Sequence, residues 1–70
     1  MIHAAKIDRS PRLNRVLRVL RDGREHSSWE LQMEARTVAV HTCISELRAN
    51  GYAISRRQSG HVHYYRLEAI

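Results

Sequence analysis

The stretch Val38–Tyr52, VAVHTCISELRANGY, constrains the fold most because it reads as a helix followed by its own stop signal. Its apolar residues recur at i, i+4 and i+7 and so line one stripe of an α-helix: Val40, Ile44 and Leu47. Asn50-Gly51 then ends the helix, since glycine readily adopts the left-handed conformation common at helix C-termini. We therefore predict a helix over residues 38–50.

The opposite side of this helix carries small polar residues, namely Thr42, Ser45, Glu46 and Ala49, flanked by Val38, His41 and Arg48. It is nearly free of the Glu/Lys pairs that decorate a solvated helix. Short hydrogen-bonding side chains edged by an arginine suit close approach to another surface, and a DNA groove is one such surface. The plain alternative is a half-buried helix whose outer face happens to be small, and this helix alone does not decide between them.

Composition adds a basic balance, with 12 Lys+Arg against 7 Asp+Glu in 70 residues, and Lys6 is the only lysine. This length allows one small domain and leaves little room for an enzyme cleft of ordinary size. A planar guanidinium pairs in forked geometry with phosphate or a guanine edge, so arginine-rich surfaces favour nucleic acid or another anionic partner. A high-GC genome would also replace lysine by arginine without any binding role.

The chain also carries features that bear on its location. The single cysteine, Cys43, excludes an internal disulfide framework and fits a reducing cytoplasm. The sequence has no apolar run near the roughly 18 residues of a membrane span, and its start has no signal-peptide core. We predict a soluble cytoplasmic protein with no membrane partner, made of a loosely ordered arm over 1–9 and one domain over 10–68.

A first helix is predicted from Ser10-Pro11, with serine as N-cap and proline at the first helical position. Its apolar residues again follow helical spacing, and Asp22-Gly23 closes it: Leu13, Val16, Leu17 and Leu20. Its arginines recur every three residues and form either a solvated surface or a set of phosphate contacts: Arg12, Arg15, Arg18 and Arg21.

A short second helix is predicted from Trp29 to about Ala35, opened by the capping box of Ser27 and Glu30. Leu31 and Ala35 would face inward. Trp29 and Met33 lie one turn apart, and we interpret them as covering an edge of the core. Exposure of Trp29 would instead favour a contact with a second copy or a partner protein.

Thr37 is the predicted N-cap of the helix over 38–50, which places a turn of about three residues between the two helices. That spacing is typical of a helix-turn-helix, whose second helix enters the major groove of DNA. Such units also occur in helical bundles.

Two strand-like runs follow, Tyr52–Gln58 and His61–Leu67, separated by Ser59-Gly60 as a hairpin loop. In that register Ile54 pairs with Tyr65, and Tyr52 pairs with Leu67 on the apolar face. The other face is basic and solvated, and it carries Ser55, Arg57, Val62, Tyr64 and Arg66.

This order of elements resembles a winged helix-turn-helix domain, an α+β fold of three helices with a C-terminal two-stranded β-hairpin wing. More narrowly, it resembles the small winged-helix proteins of phages and prophages over residues 11 to 67. The matching segments are Trp29-Glu30-Leu31-Gln32, Ile44-Ser45-Glu46-Leu47-Arg48, Gly51-Tyr52 and Tyr65-Arg66-Leu67. The resemblance implies binding to double-stranded DNA, with the helix over 38–50 in the major groove and the wing over 53–67 on the backbone or minor groove.

We accordingly expect two groups of DNA-binding residues. The groove group is His41, Thr42, Ser45 and Arg48, and the backbone group is Arg36, Thr37, Arg56, Arg57, Tyr64 and Arg66. The predicted helix has no Asn, Gln or Lys for base reading before Asn50, and Glu46 would repel phosphate unless it accepts from cytosine. Sequence preference would then depend partly on DNA shape. Such a protein would be a transcription regulator or an accessory protein of recombination or packaging, in the host cytoplasm or nucleoid if viral.

No metal, cofactor or catalytic role is predicted. His61 and His63 would share one face of a strand, but no further ligands at a suitable spacing complete a tetrahedral site. We interpret Cys43 as a small hydrophobic residue at the core edge.

The main alternative function is a winged-helix protein-interaction module that does not bind DNA, with an apolar patch at Trp29 and Met33 or at Val62 and Tyr64. An RNA-binding role is a third reading, for which one outward tyrosine makes a poor stacking platform.

Overall fold

A computed structural model describes residues 10–68, and the arm predicted over 1–9 lies outside the described residues. The elements run in the order α1 (Pro11–Leu20), β1 (His26–Ser27), α2 (Ser28–Glu34), α3 (Val40–Ala49), β2 (Ile54–Ser59) and β3 (Val62–Leu67). The fold is therefore a small α+β arrangement of three helices and a three-stranded antiparallel sheet, which confirms the predicted α+β class with three helices, while the sheet has one strand more than predicted.

Helix α1 begins as predicted. The Ser10 hydroxyl accepts a hydrogen bond from the Leu13 amide, and Pro11 occupies the first helical position, where its missing N–H costs nothing. The four apolar residues predicted to face inward are all buried: Leu13, Val16, Leu17 and Leu20. Gly23, with φ of 75°, follows the helix end, and its amide donates to the Leu20 carbonyl.

Helix α2 has the predicted capping box. The Glu30 amide donates to the Ser27 hydroxyl, and the Ser27 amide donates to the Glu30 carboxylate. Leu31 and Ala35 are buried as predicted. The interpretation of Trp29 and Met33 as a cover for the core is wrong, since they are 66% and 72% exposed.

Helix α3 begins at Val40, two residues later than predicted, and Thr37 is not its N-cap. Arg36 takes a positive φ of 52° and turns the chain after α2. The Thr37 hydroxyl then accepts from the Ala39 amide, which forms a local turn before the helix instead of capping it. Ala39 is the N-cap and has no side-chain cap, while Val38 lies outside the helix and is 87% exposed.

The end of α3 follows the prediction for Asn50-Gly51. Gly51 has φ of 97°, and its amide donates to the Arg48 carbonyl while the Tyr52 amide donates to the Leu47 carbonyl. These two bonds are the Schellman pattern, which satisfies carbonyls that a helix end leaves unpaired. Tyr52 packs against the core as the apolar residue of that motif.

The hairpin register differs from the prediction by two residues. Ile54 pairs with Leu67 and Arg56 with Tyr65, and the loop is Gly60-His61, with Gly60 at φ of 60°. A two-residue hairpin loop with glycine first is the II′ pattern, whereas the predicted loop had glycine second. Because the shift is even, each side chain keeps its predicted face. Tyr52 lies before the strand and does not pair with Leu67.

A third strand, β1, was not predicted. It pairs antiparallel with β3, with His26 opposite Tyr65, so the sheet order is β1-β3-β2 and the sheet is not a two-stranded hairpin alone. Strand β3 is therefore central, and Tyr65 on it is 2% exposed. This added edge ties the hairpin to the segment between α1 and α2.

The core is mainly aliphatic, with Tyr65 as its one fully buried aromatic residue among those described. Helices α1 and α3 pack on each other, and Cys43 lies between them with no exposed surface. The core residues are Leu13, Val16, Leu17, Leu20, Leu31, Ala35, Val40, Cys43, Ile44, Leu47, Ile54, Tyr65 and Leu67. Each large aliphatic side chain buried here contributes about 1.5–3 kcal/mol relative to exposure.

Candidate nucleic-acid interface

The exposed face of α3 holds all four residues expected in a DNA groove. His41, Thr42, Ser45 and Arg48 are exposed, and Ala49 completes the face. Positions 41, 45 and 48 follow helical spacing, and 42 and 49 lie beside them, so the five form one surface. Its side chains are short except at the His41 and Arg48 edge.

Glu46 does not belong to this surface. Its carboxylate receives a hydrogen bond from the Arg12 guanidinium of α1 at 3.0 Å, and only 16% of its side chain is exposed. Within the described residues 40–49, Glu46 is the only acidic residue of α3, so the exposed face of this helix carries no carboxylate. The repulsion of phosphate expected from the sequence is therefore removed by an ion pair between helices.

Arg48 is engaged with the protein itself. Its Nε and Nη2 atoms donate to the Ile54 carbonyl at 3.2 and 2.8 Å, which joins the last turn of α3 to the start of β2. Arg48 thus fixes the angle between helix and hairpin. To contact a base as predicted, the Arg48 guanidinium would have to give up these two hydrogen bonds.

His41 contacts the sheet on the same side. Its Nδ1 atom is hydrogen-bonded to the Tyr65 hydroxyl, and its ring meets the ring of His63 edge to face, with centroids 5.3 Å apart. Burial of Tyr65 raises the pKa of its phenol above the usual value, and the nearby Arg56 and Arg48 oppose that shift. The phenol is therefore protonated at neutral pH. These contacts hold His41 against the hairpin.

Arg56 and Arg57 point to opposite faces of the hairpin and differ in what binds them. Arg57 donates to both carboxylate oxygens of Glu25 at 2.7 and 2.9 Å and lies over the Tyr64 ring, 4.4 Å from its centroid. The hydrogen bond from Arg57 holds the pKa of the Glu25 carboxyl below its usual value, and the same bond raises that of Arg57. Arg56 is exposed, and its guanidinium makes no hydrogen bond or ion pair with any described residue.

The other residues expected to contact the DNA backbone also divide into those with available side chains and those held by the protein. Arg36 and Arg66 are exposed, and their guanidinium groups make no hydrogen bond or ion pair with any of residues 10–68. Thr37 is buried, with its hydroxyl held by Ala39, and Tyr64 is half-buried under Arg57. Arg36, Arg56 and Arg66 are thus the predicted phosphate contacts whose guanidinium groups are available.

A cluster around His26 was missed by the sequence reading. Asp22 accepts at 2.9 Å from Nε2 of His26, whose Nδ1 lies 3.1 Å from Glu30, and Glu34 lies one turn further on. Burial alone would lower the pKa of His26, but the hydrogen bonds to Asp22 and Glu30 outweigh it and raise that pKa. The pKa of Asp22 is lowered, chiefly by its hydrogen bond to His26. In the sequence, Asp22, His26, Glu30 and Glu34 recur every four residues, and this spacing is the signal that could have predicted the cluster.

His26, Glu30 and Glu34 present ligand atoms within 4.8 Å of one another, a geometry that can hold a metal ion. Both ring nitrogens of His26 are, however, already hydrogen-bonded to carboxylates. We therefore assign this cluster a structural role, in which it joins the end of α1, strand β1 and the start of α2.

Comparison with known proteins does not assign the chain to a family. The sequence matches no protein-family model, no curated protein and no solved structure. Among residues 10–68, no helix has both the length and the apolar character needed to cross a membrane.

Proposed function

We propose that this protein binds double-stranded DNA as a small winged helix-turn-helix domain, with α3 in the major groove and the β2–β3 hairpin as the wing. The proposal extends to a role as a transcription regulator or as an accessory protein of recombination or packaging, of the phage and prophage type. Cytoplasmic or nucleoid location follows from the same proposal.

The observation that carries this proposal is the carboxylate-free exposed face of α3. Glu46 is held by Arg12, which leaves hydroxyls, an imidazole and a methyl group on the exposed face, groups that can approach base edges in a groove. A helix that only covers a core has no need to keep its acidic residue away from solvent. Phosphates on both sides of a groove make such an arrangement favourable.

Three arginines with available guanidinium groups lie on either side of α3 in the chain and support the same proposal, although Arg56 and Arg66 point to opposite faces of the hairpin. Arg36 lies in the turn before α3, and Arg56 and Arg66 lie on the hairpin that follows it. Contacts from such positions to phosphate would fix the register of the helix without reading sequence. Neutralising each phosphate releases counterions, so affinity would fall as salt rises.

A salt titration against a random-sequence duplex tests the proposal. The wild type should bind at physiological salt, with a slope in log K against log [salt] equivalent to several phosphates at about 0.9 each. The triple variant Arg36→Gln, Arg56→Gln, Arg66→Gln should lose about two to three units of that slope. No binding by the wild type even at low salt would exclude DNA binding.

A matched control removes the same charge elsewhere. Arg18, Arg21 and Arg24 are likewise exposed, and they belong to α1 and the segment after it. Changing these three to Gln should leave the slope within about one unit of the wild type, if binding is local to α3 and the hairpin. Equal loss in both triple variants would mean that net charge alone drives binding.

A second candidate function is favoured by the exposure of Trp29 and Met33 on α2. Large apolar side chains at this exposure are typical of protein contacts. The surface would then bind a second copy or another protein, either with or without DNA. Sedimentation of the wild type and of Trp29→Ala over a wide concentration range would show self-association and its loss.

A further inference from the structure

We infer that Tyr65 fixes the tautomer of His41 and thereby makes His41 a hydrogen-bond donor that selects guanine in the major groove. The inference rests on the proposed function and names the base that one position of α3 would read. His41 is the residue that touches DNA, and Tyr65 is a positioning residue that acts through it.

The first step concerns the Tyr65 hydroxyl. Tyr65 is 2% exposed on the central strand β3, between His26 of β1 and Arg56 of β2. A buried phenol needs an acceptor for its hydrogen, because leaving it unpaired costs about 1–3 kcal/mol. Among the described residues, the only hydrogen-bond partner of this hydroxyl is Nδ1 of His41.

The second step assigns the hydrogen on the imidazole ring. If Nδ1 of His41 carried the hydrogen, it would donate to the Tyr65 oxygen, and the phenol hydrogen would have no acceptor within residues 10–68. Nδ1 therefore accepts from the phenol. A neutral imidazole that accepts at Nδ1 carries its hydrogen at Nε2.

The third step concerns where that hydrogen points. His41 is an exposed residue in the first turn of α3, and its Nδ1 edge faces Tyr65, so the Nε2 edge is the one left for a ligand. The ring of His63 packs edge to face at 5.3 Å and limits rotation of His41. His41 therefore presents a donor at a fixed place on the exposed face.

The fourth step matches this donor to a base. In the major groove guanine offers two adjacent acceptors, N7 and O6, whereas thymine offers one acceptor, O4, beside its methyl group, adenine places a donor beside its N7, and cytosine offers only a donor. A side chain locked as a donor thus favours guanine and disfavours cytosine at the position it reaches. A freely tautomerising histidine would accept from cytosine or adenine as well.

The tautomer is tested first on the free protein, by long-range ¹H–¹⁵N NMR of the histidine rings at neutral pH. The expected result is a His41 ring with hydrogen on Nε2 in the wild type and a mixture of tautomers in Tyr65→Phe. A wild-type ring with hydrogen on Nδ1 would overturn the inference whether or not the protein binds DNA.

Base selection is tested by selecting preferred sites from a random duplex library with the wild type, His41→Ala and Thr42→Ala. One guanine position of the wild-type site should lose its preference in His41→Ala and keep it in Thr42→Ala, since Thr42 lies beside His41 and is not the hydrogen-bond partner of the Tyr65 hydroxyl. At that position 7-deazaguanine, which lacks N7, or 2-aminopurine, which lacks O6, should weaken wild-type binding about threefold to tenfold.

Tyr65→Phe separates positioning from simple structural support. If the variant is folded by circular dichroism, it should bind random DNA with nearly wild-type affinity and show a weaker guanine preference. If it does not fold, the nucleotide analogues and His41→Ala still decide the matter. DNA binding without a His41-dependent guanine overturns this inference alone, and absence of any DNA binding overturns the proposed function and the base selection together.

Discussion

The exposed faces of α2 and α3 differ in kind, although the two helices are neighbours in the chain. The face of α3 presents His41, Thr42 and Ser45 and has its one acidic residue tied to α1. The face of α2 presents Trp29 and Met33 beside the carboxylates of Glu30 and Glu34. Under the proposed function, the α3 surface contacts a polyanion, and the carboxylates beside the α2 surface would repel it. Two helices joined by a short turn can therefore serve different partners.

The largest effect expected from this comparison is on stability, and it separates the two sides of α2. Leu31 has no exposed surface, so Leu31→Ala should lower the free energy of unfolding by about 2–5 kcal/mol through lost burial and a cavity. Met33→Ala, on the exposed side of the same helix, should change it by less than about 0.5 kcal/mol. Urea unfolding followed by Trp29 fluorescence measures both, and a large loss in Met33→Ala would mean that this face supports the fold.

The next effect is on DNA binding and compares the two exposed faces directly. Under the proposed function, Ser45→Glu puts a carboxylate in the middle of the α3 face and should weaken binding about tenfold or more, since like charges at close range repel by over 1 kcal/mol. Gln32→Glu makes the same charge change on exposed α2 and should have little effect. Equal losses in the two variants would end the distinction between the faces.

The smallest effect concerns pH and the way each helix begins. The start of α2 is held by His26 between Asp22 and Glu30, whereas the segment before α3 is held by the Thr37 hydroxyl, which does not titrate. Because the pKa of His26 is raised on folding, its contribution is complete below the unfolded value of 6.5 and is lost as pH rises through the folded value. The lowered pKa of Asp22 gives a contribution present above 3.8 and lost as pH falls.

Wild-type protein should therefore be slightly more stable at pH 5.5 than at pH 8.5, since solvent screens a network whose carboxylates are partly exposed. His26→Gln should lose this difference even if it is less stable throughout, and Thr37→Val should keep it. A pH dependence that survives in His26→Gln would assign it to other groups.

Local signals made most of the fold predictable. The Ser10 cap, the Ser27–Glu30 capping box and the Gly51 stop each depend on a few neighbouring residues, and each formed as expected. The sequence also predicted correctly which side chains share each face of the hairpin, although it placed the hairpin loop one residue too early. Strand β1 has two residues, too few for any alternation, and it forms only because β3 pairs with it.

The burial of α2 shows where periodicity stops being informative. Trp29 with Met33, and Leu31 with Ala35, are both i, i+4 apolar pairs on a helix of two turns. Either pair satisfies helical spacing, and only packing against α1 and β3 decides that Leu31 and Ala35 are inside. The predicted inward positions of Leu31 and Ala35 were correct, and what helical spacing could not show is that Trp29 and Met33 do not also cover the core edge.

For the candidate site, the exposure of the α3 residues was predictable from the sequence, but the contacts of the charged residues were not. All four expected groove residues are exposed on α3, yet the contacts that tie up others span the chain. Arg12 reaches Glu46 over 34 positions, and Glu25 reaches Arg57 over 32. Sequence spacing cannot reveal such pairs, so it could not tell that Arg56 is available while Arg57 is held.

The place of Cys43 gives the molecule an internal reporter. Its thiol is the only one in the chain, it has no exposed surface between α1 and α3, and burial raises its pKa, so it reacts poorly while these helices are together. A thiol reagent added in excess will label it only when the helices separate. The rate of labelling therefore measures the rate at which the core opens in the unaltered protein, with no dye or tag introduced.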